Sequence, residues 1–74
     1  MKAENIRRLV DQFGWSEIMR VHRLHTVDGE GTTAIADYLG TVPRVVEQIL
    51  RCARYRIEAV QEGQQLVDTF DVGP

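Results

Sequence analysis

The spacing from Thr32 to Arg51, TTAIADYLGTVPRVVEQILR, limits the fold more than any other stretch of this chain. Ala36 stands four residues before Gly40, and Val46 and Ile49 follow at helical spacing. A small residue at 36 lets two helices cross closely. Gly40 suits the turn between them, because glycine takes the left-handed conformation after a helix end without a Cβ penalty. Pro43 fits the first turn of the next helix, where its missing N–H has no intrahelical partner to lose. The branched side chains of Val46 and Ile49 then pin the second helix onto the first.

Downstream of Pro43 the periodicity is the cleanest in the chain. Projected at about 100° per residue, Val46, Ile49, Leu50, Ala53, Ile57 and Val60 fall in one arc. Arg44, Glu47, Gln48, Arg51, Arg54, Tyr55 and Glu58 take the opposite face, with Glu47–Arg51 and Arg54–Glu58 as i,i+4 pairs. This predicts one long helix to about Glu62, ended by Gly63. The competing architecture is a winged helix, in which residues 56–61 and 65–71 pair as a C-terminal β-hairpin. Its second strand alternates acceptably, with Leu66, Asp68, Phe70 and Val72 on one side. Its first strand would have to break a helical stripe that continues without interruption, so the long helix is preferred.

Upstream, Ile6, Leu9, Val10 and Phe13 make one apolar stripe over residues 3–13, with Gly14 as a stop. A second helix follows, which Ser16 can cap, with Ile18, Val21, His22 and either Leu24 or His25 inward. Trp15 is expected to cover the junction of these two helices; the alternative is a partly exposed partner anchor. DGEG at 28–31 is a loop by composition, and Thr32 or Thr33 is expected to cap the short helix that carries Ile35, Ala36 and Leu39. The expected fold is all-α: a small helix-turn-helix domain of about four helices over 1–63, with an extended acidic-apolar C-terminal tail at 64–74.

Seventy-four residues make one small domain, near the size at which a core barely stands without metals or disulfides. A substrate cleft with its own walls is not expected at this size, which argues against an enzyme and a small-molecule substrate. Cys52 is the single cysteine, so no intrachain disulfide can form. No apolar run is long enough to span a bilayer, and the polar start MKAENIRR does not read as a secretory signal. A soluble, cytoplasmic protein is therefore expected. His22 and His25 have the spacing to share a metal, but no companion ligands stand at suitable spacing, so neither a metal nor another cofactor is expected.

Charge is unevenly divided. Residues 1–56 hold all nine basic groups against seven acidic ones, whereas Glu58, Glu62, Asp68 and Asp71 follow with nothing to offset them. Affinity for nucleic acid of any sequence comes from Lys and Arg neutralising phosphates. A chain with one lysine, Lys2, and an acidic tail is poorly equipped to hold DNA unaided.

The Thr32–Arg51 stretch resembles the helix-turn-helix of transcription regulators, through Ile35, Ala36, Leu39, Gly40, Val46 and Ile49, with Pro43 a common opening for the second helix. Thr41 departs from that pattern, because an apolar residue usually follows the turn glycine. The resemblance implies that Val42, Pro43, Arg44, Glu47 and Gln48 are the residues offered to a major groove, Arg44 suited to guanine and Gln48 to adenine. In length, core and charge the whole chain is similar to the small RNA-polymerase-binding transcription regulators of Xanthomonas phages. That similarity implies a partner in the host bacterial cytoplasm: RNA polymerase, near the amino terminus of its β′ subunit. Promoter recognition would be inhibited and termination suppressed, without catalysis. The residues expected to grip such a partner are Arg44, Gln48, Arg51 and Tyr55, with Trp15, and Leu66 and Phe70 from the tail. The alternative is a dimeric, sequence-specific DNA-binding repressor or excision factor.

Overall fold

A computed structural model describes residues 2–61, which form three α-helices: α1 (Ala3–Thr26), α2 (Thr32–Leu39) and α3 (Pro43–Gln61). The domain is all-α. The anticipated tail at 64–74, with Leu66 and Phe70, and the second strand of the winged alternative lie outside the described residues. The first strand of that alternative does not form, because residues 56–61 complete the last turns of α3. The helix prevails in this segment, since it satisfies its own backbone while an isolated hairpin is marginal in water.

α3 is the central element. Both α1 and α2 pack chiefly on it and touch each other less. Its buried residues Val46, Ile49, Leu50, Cys52 and Ala53 meet Ile6, Leu9, Ile18 and Val21 of α1 and Ile35 and Ala36 of α2. Each large aliphatic side chain so buried contributes about 1.5–3 kcal/mol. The stripe departs from the expected one at the end of α3. Ala59 is buried, whereas Val60 is 60% exposed. The covered side there has drifted towards Cys52 and Arg56, the side on which Arg56 meets Trp15 of α1.

About four helices are expected from the sequence, and three form, because the first two run together as α1. Gly14 breaks that helix with φ 82° and ψ 153°, a conformation essentially reserved for glycine. The break has a packing purpose. In a straight helix Leu9 and Ile18, nine residues apart, would point in opposite directions, about 180° apart at 3.6 residues per turn. With the chain re-aimed at Gly14, both are buried in one core.

Neither Thr32 nor Thr33 caps α2. Gly31 holds the cap position, its carbonyl accepting from the Ile35 N–H at 3.0 Å, and no side chain caps the helix. The turn after α2 is as the spacing requires. Gly40 is left-handed (φ 73°, ψ 36°); its N–H donates to the Asp37 carbonyl at 3.3 Å and the Thr41 N–H donates to that of Ala36 at 2.9 Å. These two bonds are the Schellman pattern, so the polar residue at 41 does not loosen the turn. Ala36 is buried where α2 meets α3, and Pro43 opens α3. Of the two inward candidates at the end of α1, Leu24 is half-buried and His25 is exposed.

Candidate partner-binding surfaces

Two surfaces gather the polar and aromatic residues of this domain, and they lie on different sides of α3. The first is the outward face of that helix. Arg44, Gln48, Arg51 and Tyr55 recur at i, i+4, i+7 and i+11, which brings them within an arc of about 60°. Arg44 and Arg51 are exposed, while Gln48 and Tyr55 are half-buried. Gln48 and Arg51 border a recess shared with Lys2, Glu4 and Asn5 at the start of α1. At the amino-terminal turn Val42 is 55% exposed, and Pro43 and Glu47 are exposed beside it. The five residues offered to a groove in the DNA-binding alternative are therefore contiguous.

This face is not tied together by ion pairs. Among the described residues one pair approaches bonding distance, Arg20 with Glu17 at 3.9 Å, on α1. Glu47–Arg51 and Arg54–Glu58 have the right sequence spacing but do not close. An exposed i,i+4 pair gains only about 0.3–0.5 kcal/mol against the entropy of two long side chains, so open geometries compete. Among the described residues, the guanidinium and carboxylate groups of the α3 face are thus unpaired.

Trp15 does not join that stripe. It is the first residue after the Gly14 break and packs on the edge of the core, as a residue covering the helix junction should. The Arg56 guanidinium lies 4.7 Å from its ring centroid, a cation–π arrangement. Arg56 points about 120° away from Arg44 around α3, which separates the two surfaces. The indole Nε1 is buried without a hydrogen-bond partner among the described residues.

The second surface is a shallow groove of about 870 Å³ along the part of α1 that follows the break. Trp15, Met19 and Leu24 give it an apolar floor, and Arg20, Arg23 and Arg56 bring three guanidinium groups against the single carboxylate of Asp28. Arg20 also lies 5.4 Å from the ring centroid of Tyr38, extending the groove towards α2. No family model, curated protein or solved structure matches this chain. Its surfaces must therefore be read from their own chemistry.

The groove arginines are absent from the residues singled out by sequence. A signal for one of them exists: Arg56 follows Cys52 by four residues on the inward side of α3, a cation where the stripe calls for an apolar group. Its stem can cover apolar surface while its head stacks on a ring. Arg20 and Arg23 are three apart on one face of α1, but only the re-aiming at Gly14 brings them towards Arg56.

The remaining reactive groups are accounted for structurally. Cys52 is fully buried, and burial pushes its thiol from 9.0 up to about 11, the nearby Arg56 charge pulling it partly back. It fills core space as a small packing residue. His25 Nδ1 lies 2.9 Å from the Glu30 carbonyl oxygen of its own loop, and the described residues contain no cluster of three potential metal ligands. No helix among them is long and apolar enough to cross a membrane.

Proposed function

We propose that this domain is a phage-type transcription regulator that acts in the bacterial cytoplasm by binding host RNA polymerase, inhibiting promoter recognition and suppressing termination, without catalysis. The observation that carries the reading is the outward face of α3 within a helix-turn-helix frame: Arg44, Gln48, Arg51 and Tyr55 in one stripe, with Glu47 and Glu58 beside them and no ion pair closing among the described residues. A rigid helix bearing unpaired charges of both signs complements a protein surface of mixed charge. Against a phosphate backbone, the two carboxylates would cost affinity. The whole-chain resemblance supplies the partner, the polymerase near the amino terminus of its β′ subunit. Arg and Tyr are residue types enriched among interface hot spots.

The test is a pull-down of host polymerase with the intact protein and with Arg44→Ala/Arg51→Ala. The intact chain recovers the enzyme and the variant loses it, while keeping its thermal stability because both side chains are exposed. Recovery of no polymerase subunit at modest salt rejects the reading.

One observation favours a second reading, a dimeric DNA-binding repressor or excision factor. Val42, Pro43, Arg44, Glu47 and Gln48 run together at the exposed start of α3, which is where a helix-turn-helix contacts base edges. It requires sequence-specific binding that Arg44→Ala abolishes, and a flat isotherm with DNA from the gene's own promoter region rejects it.

A further inference from the structure

We propose that the arginine-lined groove of α1 is the docking site of the chain's own C-terminal segment, residues 62–74. This goes beyond the polymerase reading and does not depend on it. The groove offers three guanidinium groups, from Arg20, Arg23 and Arg56, over an apolar floor of Trp15, Met19 and Leu24; Asp28 is the one carboxylate lining it, and Glu17 stands beside it, 3.9 Å from Arg20, leaving the cations in excess. The segment has the complementary composition. Glu62, Asp68 and Asp71 carry its only side-chain charges, and Leu66, Val67, Phe70 and Val72 its apolar groups, without a lysine or arginine among them.

Reach and position agree with charge. Arg56, which closes one end of the groove over Trp15, lies five residues before the end of α3 at Gln61. The chain therefore leaves α3 about 8 Å beyond that end. The groove follows α1 from Trp15 to its end at Thr26, about 17 Å of helix, and reaches Asp28 in the loop beyond. Thirteen further residues span up to about 43 Å when extended, enough to return and run its length. Leu66 and Phe70 supply anchors for the floor, and Asp68 and Asp71 supply carboxylates for Arg20 and Arg23. A second acidic protein would have to compete with a tethered segment whose effective concentration is of millimolar order.

The single tryptophan reports the state of the groove. Quenching of Trp15 by acrylamide, a neutral probe, is measured on the full chain, on Asp68→Lys/Asp71→Lys, on Phe70→Ala, and on Arg20→Glu/Arg23→Glu. At low salt the unaltered chain shields Trp15. Each variant loses that shielding, and combining the two charge reversals restores it. Raising salt to about 1 M, where the Debye length is about 3 Å, weakens the shielding in the unaltered chain. Circular dichroism verifies that the tail variants keep their helices. Equal quenching of the full chain and the tail variants overturns the proposal. Shielding that rises with protein concentration, together with a dimer on gel filtration, assigns the groove to a second copy and overturns it as well.

Discussion

Gly14 and Gly40 provide a controlled comparison, because an added Cβ at either position meets nothing within 4 Å and only the backbone conformation differs. At Gly40 the geometry is ordinary left-handed helix, φ 73° and ψ 36°. An L-residue there costs about 1–2 kcal/mol, and the loss of unfolded-chain freedom on replacing glycine by alanine returns about 0.4–1. Gly40→Ala should therefore destabilise by about 1 kcal/mol. At Gly14, ψ is 153° with φ 82°, a region that costs an L-residue up to ~3 kcal/mol. The chain has one escape, which is to straighten α1 through residue 14. That would turn Ile18 and Val21 away from the core, and losing the burial of two such side chains costs about 3–6 kcal/mol. Strain is the smaller penalty, so the break persists and Gly14→Ala destabilises by about 2 kcal/mol. For a domain of this size each kcal/mol lowers Tm by about 4–8 °C. Thermal melts followed by circular dichroism and Trp15 emission should place Gly14→Ala several degrees below Gly40→Ala, and both below the unaltered chain. A rise in Tm with added helicity for Gly14→Ala would refute the reasoning, because alanine replacing glycine inside a continuous helix gains about 1 kcal/mol.

Three further outcomes test other parts of the structure. Ala36→Leu forces extra methyl groups into the buried contact of α2 with α3 and should cost about 1–3 kcal/mol in urea unfolding, with the helices retained. The Cys52 thiol should resist alkylation in the native protein at pH 8, reacting at a rate set by unfolding. Because its folded-state value lies above the unfolded one, the stability linked to it is fully present below about pH 9.0 and falls as pH rises towards 11, which unfolding curves at several alkaline pH values can follow. Trp15→Phe should change stability little, because removing a buried donor that has no partner offsets the smaller ring, whereas Arg56→Ala should expose Trp15 to quencher.

The parts of this fold legible in the sequence are those set by one element alone. α3 is readable because its apolar stripe runs over five turns, long enough to exclude a strand. The turn at Gly40 is readable because a left-handed residue, a small crossing residue and a proline stand at fixed offsets. Readings that required knowing what a neighbour covers fared less well. Val60 lies in the right direction on the wheel but is mostly exposed, while Ala59 is buried. Thr32 and Thr33 are good capping residues, yet the cap falls one residue earlier, on Gly31. Gly14 was legible as a helix stop with a second helix following, but sequence could not say in which direction the chain would be re-aimed between the two. The groove was hidden for the same reason, since three arginines from positions 20, 23 and 56 converge only after that break.

The division of the arginines bears on how the domain can meet a partner. Arg44, Arg51 and Arg54 face outward on α3 beside Glu47 and Glu58, whereas Arg20, Arg23 and Arg56 line the groove beside Asp28. With Lys2 at the recess beside Arg51, a phosphate backbone approaching the outward face of α3 would therefore meet about four of the nine cations. Each neutralised phosphate contributes about −0.9 to the slope of log affinity against log salt. A monomer docked through this face is held to a slope of about −4, and a symmetric dimer to about −7. Nonspecific affinity at that level is easily lost at physiological salt, so DNA binding by this surface has to rest on base contacts made by Arg44 and Gln48. A protein partner faces no such requirement, because Glu47 and Glu58 can pair with its cations while the arginines pair with its carboxylates. Measured slopes steeper than about −7 would mean that cations outside this face, from the groove or from Arg7 and Arg8, also reach phosphate, and would weaken the reason for assigning the two surfaces different partners.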